Sequence, residues 1–104
     1  MTYIAEQIEL RDYIAAKNEG YRKEMAENPN LWIGITVEDP EHWAQYGIYT
    51  VEQYEFYMEY EGCYDWLAGL TNKGYARYAL QGCKTVADIE EVFEKNKYLE
   101  EEAA

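Results

Sequence analysis

The chain has 104 residues, of which 21 are Asp or Glu and nine are Lys or Arg, so its formal net charge at pH 7 is −12. This length allows one domain, residues 1–104, with one modest core. A surface this acidic repels nucleic acids and anionic membranes, since both are polyanions, and this argues against either as a direct ligand.

The first predicted helix covers about residues 3–27, with Thr2 as its cap and Asn28-Pro29 at its end, because Leu10, Ile14 and Met25 fall on one face. In residues 31–37, Leu, Ile, Ile and Val alternate with Trp, Gly and Thr. This period of two, with its β-branched residues, predicts one short strand. Its only candidate partner is the segment 47–50. Without that partner, residues 31–37 form an extended packing segment.

The rest of the chain contains several helix-start signals. Asp39-Pro40 begins a short helix that Gly47 stops, Thr50 with Gln53 caps a helix from Val51 to about Leu67, Gly74–Leu80 is a short helix, and Thr85 caps a last helix to about Glu101. The predicted fold is therefore mainly α, a compact bundle of four to five helices, with either a small two-stranded β element (31–37 and 47–50) or none.

The negative charge is concentrated in the middle of the sequence. Residues 24–72, here called the acidic block, contain ten carboxylates and no Lys or Arg, whereas residues 1–23 are neutral in total. The block also holds ten of the 17 aromatic residues, which is typical of a folded segment rather than of a disordered acidic tail. Solubility needs only a mixed-sign surface, so a one-sign block of this size indicates a cationic partner.

On the helix that starts at Val51, helical geometry places Glu52, Glu55 and Glu59 in a narrow arc. Along the helix axis, Glu55 lies about 4.5 Å from Glu52 and Glu59 lies about 6 Å from Glu55. These distances are comparable to the spacing of charges along a nucleic acid. An ordinary solvated helix face is the alternative, but such faces usually mix Lys among their Glu. The predicted partner-binding residues are Glu38, Asp39, Glu41, Glu52, Glu55, Glu59 and Trp66.

The aromatic residues are divided between core and surface. Most of Tyr54, Tyr57, Tyr60 and Tyr64 are expected in the core or at its edge because they recur at helical spacing. Trp32 and Trp43 are predicted core residues. Trp66 lies close, around the helix, to Glu52, Glu55 and Glu59, here called the acidic row, and is the predicted exposed anchor for a partner.

No catalytic, metal or cofactor site is predicted. His42 is the only histidine, no Cys pair has ligand spacing, and the sequence has neither a serine nor a phosphate-binding glycine loop. The N-terminus lacks the basic region and apolar run of a signal peptide, so we expect a cytoplasmic protein. Cys63 and Cys83 are then expected as reduced thiols, with a disulfide between them as the alternative.

The stretch Gly47-Ile48-Tyr49-Thr50-Val51-Glu52-Gln53-Tyr54 resembles the helical opening Gly-Ile-x-Thr-x-Glu-x-Tyr of small uncharacterised phage-type proteins, and the resemblance extends at most over residues 47–96. Those proteins carry an Arg-Pro-Arg turn between two helices, where this chain has Asn72-Lys73-Gly74-Tyr75-Ala76-Arg77. The resemblance implies a mobile-element origin. In character the chain is similar to small acidic DNA mimics that disable restriction or CRISPR complexes.

The sequence thus favours a non-enzymatic inhibitor that imitates nucleic-acid charge and blocks the nucleic-acid-binding surface of a host defence complex. The expected partner is a basic nucleic-acid-binding protein or a ribonucleoprotein complex in the host cytoplasm. One alternative is an acidic interaction module or assembly factor for a basic protein partner. Another is a structural protein whose charge serves only solubility.

Overall fold

A computed structural model describes residues 2–103 and shows a mainly α protein. The described residues form five helices and no strand: α1 (Ala5–Glu27), α2 (Pro40–Ala44), α3 (Val51–Leu70), α4 (Lys73–Leu80) and α5 (Val86–Ala103). The chain divides into two compact units, unit 1 up to Tyr54 and unit 2 from Glu55 onward. The single domain stays a prediction.

Three helices, α2, α3 and α5, begin at the predicted caps Asp39, Thr50 and Thr85. The Asp39 carboxylate accepts a hydrogen bond from the Glu41 N–H at 3.0 Å, with Pro40 as the first helical residue of α2. At α3, the Thr50 hydroxyl accepts from the Gln53 N–H at 3.1 Å and the Gln53 amide oxygen accepts from the Thr50 N–H at 3.2 Å. These bonds satisfy donors that a helix start leaves without intrahelical partners.

The start of α1 differs from the prediction. Ile4, not Thr2, is the capping position, and its N–H donates to the Gln7 side chain at 3.1 Å. Gln7 lies three residues after Ile4, so it completes the glutamine half of a capping box without a hydroxyl on the capping residue.

Unit 1 has a small core supplied by α1, α2 and the first turn of α3. Leu10 and Ile14 of α1 are buried, as are Trp43 of α2 and Tyr54 of α3. The Trp43 and Tyr54 rings meet edge to face, with centroids 5.1 Å apart. Gly47 ends the turn after α2 with φ +75°, a backbone conformation that favours glycine.

Of the two alternatives for residues 31–37, the structure shows the extended packing segment and not the β element, because side chains rather than a second strand bind the backbone of these residues. The Asn18 amide donates to the Thr36 carbonyl at 2.7 Å and accepts from the Thr36 N–H at 3.0 Å. The Trp43 indole N–H donates to the Val37 carbonyl at 2.7 Å. In the segment 47–50, the N–H groups of Tyr49 and Thr50 bind Gln53 instead of a strand.

Trp32 was predicted to be a core residue, and this is wrong, because Trp32 is 83% exposed. Trp43 is buried, as predicted. Asn18 holds the extended segment at Thr36, and the Ile33 N–H lies against the Met25 sulfur, so Ile33 and Thr36 are half-buried. The Trp32 indole instead lies over Gly34.

Unit 2 builds its core from α3, α4 and α5. The buried residues are Cys63 and Leu67 of α3, Ala76 and Leu80 of α4, and Ile89 of α5. Among the described residues, no helix combines the length and the apolar character that crossing a membrane would require.

Candidate functional site

The acidic row lies on the solvent side of α3. Glu52 is in the first turn of the helix, and Glu55 and Glu59 follow in unit 2; all three side chains are exposed. The helix runs without interruption past Gly62 and Gly69 to Leu70, so the predicted spacing of the row applies. A common face with the acidic residues before and in α2 stays a prediction.

Lys and Arg form ion pairs on α1 and α5, outside the acidic block. Within the described residues these pairs are Arg11–Asp12, Arg22–Glu19, Lys95–Glu91 and Lys97–Glu94. Each uses a carboxylate outside residues 24–72. The helices α1 and α5 therefore have mixed-sign surfaces, whereas α3 carries carboxylates and no Lys or Arg of its own.

Two of the predicted residues before α2 have structural bonds in unit 1. Glu38 is half-buried and accepts a hydrogen bond from the Asn18 amide at 2.9 Å. Asp39 caps α2 and also accepts from the Tyr3 hydroxyl at 3.3 Å. Partial desolvation and the nearby charges of Asp39 and Glu41 raise the pKa of Tyr3. Glu41 is exposed in the first turn of α2.

Trp66 is half-buried rather than exposed. Its ring packs on Phe93 of α5 with centroids 4.5 Å apart, and it borders the core of unit 2. Phe93 is itself 36% exposed. Tyr54 is buried and Tyr57, Tyr60 and Tyr64 are half-buried, as their spacing predicts.

Trp66 and Glu59 both line a groove between α3 and α5 with a volume of about 490 Å³. The groove has an apolar floor and an acidic rim. Six lining residues, here called its floor, are apolar or glycine: Met58, Gly62, Cys63, Trp66, Ile89 and Phe93. The other three, here called its rim, are the exposed carboxylates Glu59, Glu90 and Glu94. The groove thus brings two of the sequence-predicted residues, Glu59 and Trp66, together with Glu90 and Glu94 of α5.

Sequence reasoning missed this groove, although one signal was present. Met58, Gly62 and Trp66 recur every fourth residue and so fall on one line along α3. Gly62 is the gap in that line, and apart from its chain neighbours and the local helix backbone no atom lies within 4 Å of the position that a Cβ would take there. A glycine between two large apolar residues indicates a depression, but its depth depends on where α5 lies.

The two cysteine thiols and the histidine imidazole lie in surroundings that do not activate them. Cys63 and Cys83 are free thiols, and burial raises the pKa of each, which keeps them protonated and weakly nucleophilic at neutral pH. His42 is half-buried beside the Trp43 and Tyr46 rings. Within residues 2–103, no group of three His, Cys, Asp or Glu side chains is placed to hold a metal ion.

Comparison of the chain with protein-family models, with curated proteins and with solved structures gave no match.

Proposed function

We propose that this protein is a non-enzymatic inhibitor that occupies the nucleic-acid-binding surface of a bacterial defence complex, as an anti-CRISPR or antirestriction protein. The observation that carries the proposal is the acidic block, with ten carboxylates and no base, whose α3 row is exposed. Its partner is a basic nucleic-acid-binding protein or ribonucleoprotein complex. It does not bind nucleic acid itself.

The physical basis is charge imitation along a rigid element. A helix fixes the spacing of Glu52, Glu55 and Glu59, whereas carboxylates on a flexible chain lose conformational entropy when they bind. Lys and Arg that line a nucleic-acid channel meet carboxylates at intervals similar to those of phosphates. The net charge of −12 steers association with such a channel over a distance of about a Debye length, roughly 8 Å at physiological ionic strength.

Reversing the row should abolish inhibition. In the variant with Glu52, Glu55 and Glu59 all changed to Lys, three attractive contacts become repulsive, and we expect the loss of protection for phages plated on bacteria with an active restriction or CRISPR system. Because the three side chains are exposed, the helical circular dichroism should remain.

The matched control changes Glu6, Glu9 and Asp12 of α1 to Lys. These residues are exposed, recur at helical spacing and give the same change in net charge, but lie outside the acidic block. We expect the control variant to protect phages and the row variant to give no protection. Equal protection by wild type and row variant would contradict the proposal.

A further inference from the structure

The groove between α3 and α5 has the features of a binding site for one protruding side chain. Its floor is apolar, and Gly62 leaves room between Met58 and Trp66. Met58 is 44% exposed, so the floor can be reached from solvent. An apolar side chain that entered would be desolvated against Trp66 and Phe93, as anchor residues are in protein interfaces.

The rim favours positive charge beside that apolar side chain. Glu59 lies on the α3 side, and Glu90 and Glu94 lie on the α5 side. Glu90 and Glu94 are one helical turn apart, so their carboxylates follow the groove. The complementary ligand therefore has an apolar group in the middle and cationic groups on both sides.

Lys97 shows how a cation fits this rim. Its ammonium lies 3.6 Å from the Glu94 carboxylate and 5.8 Å from the centre of the Phe93 ring. The rim thus combines a carboxylate with an aromatic face, a pair that also binds the planar guanidinium of arginine. Both partners of the ion pair are more than half exposed, so an incoming arginine displaces Lys97 at little cost.

We propose that this groove binds a short basic segment of the target protein, in which an aromatic side chain enters between Gly62 and Phe93 while flanking arginines bind Glu59, Glu90 and Glu94. A second copy of the chain is a poorer occupant, because two molecules of charge −12 repel each other. The inference rests on the proposed function, since Glu59 belongs to both the α3 row and the groove.

The first test uses a synthetic peptide, acetyl-Arg-Arg-Trp-Arg-Arg-amide, titrated into the isotopically labelled protein. We expect amide chemical-shift changes at Gly62, Glu90 and Phe93, and an affinity about tenfold or more above that of the peptide with Ala in place of Trp. Equal affinity of the two peptides, or shifts confined to other residues, would overturn the proposal.

The second test fills the groove. In Gly62→Phe the new Cβ meets no atom within 4 Å, and an aromatic side chain on a helix points back over the preceding turn, here toward Met58. We expect this variant to bind the Trp peptide at least about tenfold more weakly while its thermal unfolding stays cooperative.

Gly20→Phe is the matched control, because Gly20 is an exposed glycine inside α1 with no atom within 4 Å of its Cβ position. This control should bind the peptide like wild type. Undiminished binding by Gly62→Phe would overturn the proposal. So would a wild-type dimer that Gly62→Phe converts to monomer in analytical ultracentrifugation, since a second copy would then occupy the groove.

Phage protection by Gly62→Phe separates the contribution of the groove from that of the α3 row. If Gly62→Phe protects phages as wild type does, the groove is not the contact, whereas inhibition through the α3 row stands. If Gly62→Phe loses the peptide but a variant with only Glu52 and Glu55 changed to Lys, which leaves Glu59 in the groove intact, still protects phages, the groove binds a basic segment and the nucleic-acid mimicry is wrong.

Discussion

Asn18 and Asn96 are buried polar residues that occupy positions of an apolar stripe, one in each unit. Asn18 follows Leu10 and Ile14 at intervals of four, and Asn96 follows Ile89 and Val92 at helical spacing. Asn96 accepts a hydrogen bond from the Tyr75 hydroxyl and donates to the Val92 carbonyl at 2.8 Å. Both lie on the apolar face of their helix, but as polar residues they were not among the predicted core residues, and their partners depend on the tertiary structure.

Asn18→Ala should destabilise the protein by about 1 to 3 kcal/mol, because the Thr36 N–H and carbonyl would lose the partner that replaces a β-strand. The side chain is 0% exposed, so water does not readily substitute. Urea unfolding monitored by circular dichroism measures the change. Asn30→Ala, at an exposed turn residue, is the control and should stay within about 0.5 kcal/mol of wild type. Equal stability of the two variants would show that Asn18 does not hold the extended segment.

At the scale of the helices, local signals were predictable and long-range ones were not. Asp39-Pro40, Thr50 with Gln53, and Thr85 mark helix starts correctly because a cap and its partners lie within four residues of each other. The segment 31–37 has the alternation of a strand, but pairing depends on what lies beside it, and Asn18 takes that place. For the same reason the exposure of Trp32 and the groove of unit 2 could not be deduced from spacing.

The start of α5 contains a pH-sensitive cap. The Asp88 carboxylate accepts hydrogen bonds from the N–H groups of Lys84 at 2.9 Å and Thr85 at 3.1 Å, and the Thr85 hydroxyl accepts from the Asp88 N–H at 3.1 Å. The two backbone hydrogen bonds hold the pKa of Asp88 below its ordinary value of 3.8. Because the folded pKa is lower, Asp88 stabilises the fold above pH 3.8, and this contribution is lost as the pH falls through the folded value.

Asp88→Ala should therefore lower the Tm at neutral pH, and its Tm difference from wild type should close as the pH falls below about 4. Thermal unfolding of both proteins from pH 7 to pH 2 measures this difference. The other carboxylates are present in both proteins, so their contributions to the pH dependence of the Tm largely cancel. Asp88→Asn keeps an oxygen acceptor and should lose less stability at pH 7 than Asp88→Ala. A Tm difference that stays constant down to pH 2 would contradict the role of the carboxylate.

At the scale of the whole molecule, the segregation of charge is the feature that solubility does not require. The nine Lys and Arg lie outside residues 24–72, and Lys95 and Lys97 form ion pairs with neighbouring Glu on α5. The sequence therefore predicts both the sign and the place of a binding surface. It could not predict that Glu38 and Asp39 also hold unit 1 together, since their partners Asn18 and Tyr3 are distant along the chain.

Competition with nucleic acid distinguishes charge mimicry from binding elsewhere, because a mimic and its template cannot bind the same surface together. The measurement is the affinity of the protein for a purified defence complex that it inhibits, determined at increasing concentrations of the complex's own nucleic-acid substrate at fixed salt. We predict that the apparent Kd rises in proportion to the substrate concentration. An apparent Kd that is unchanged at saturating nucleic acid would contradict charge mimicry and would favour an acidic module that binds a basic protein segment elsewhere.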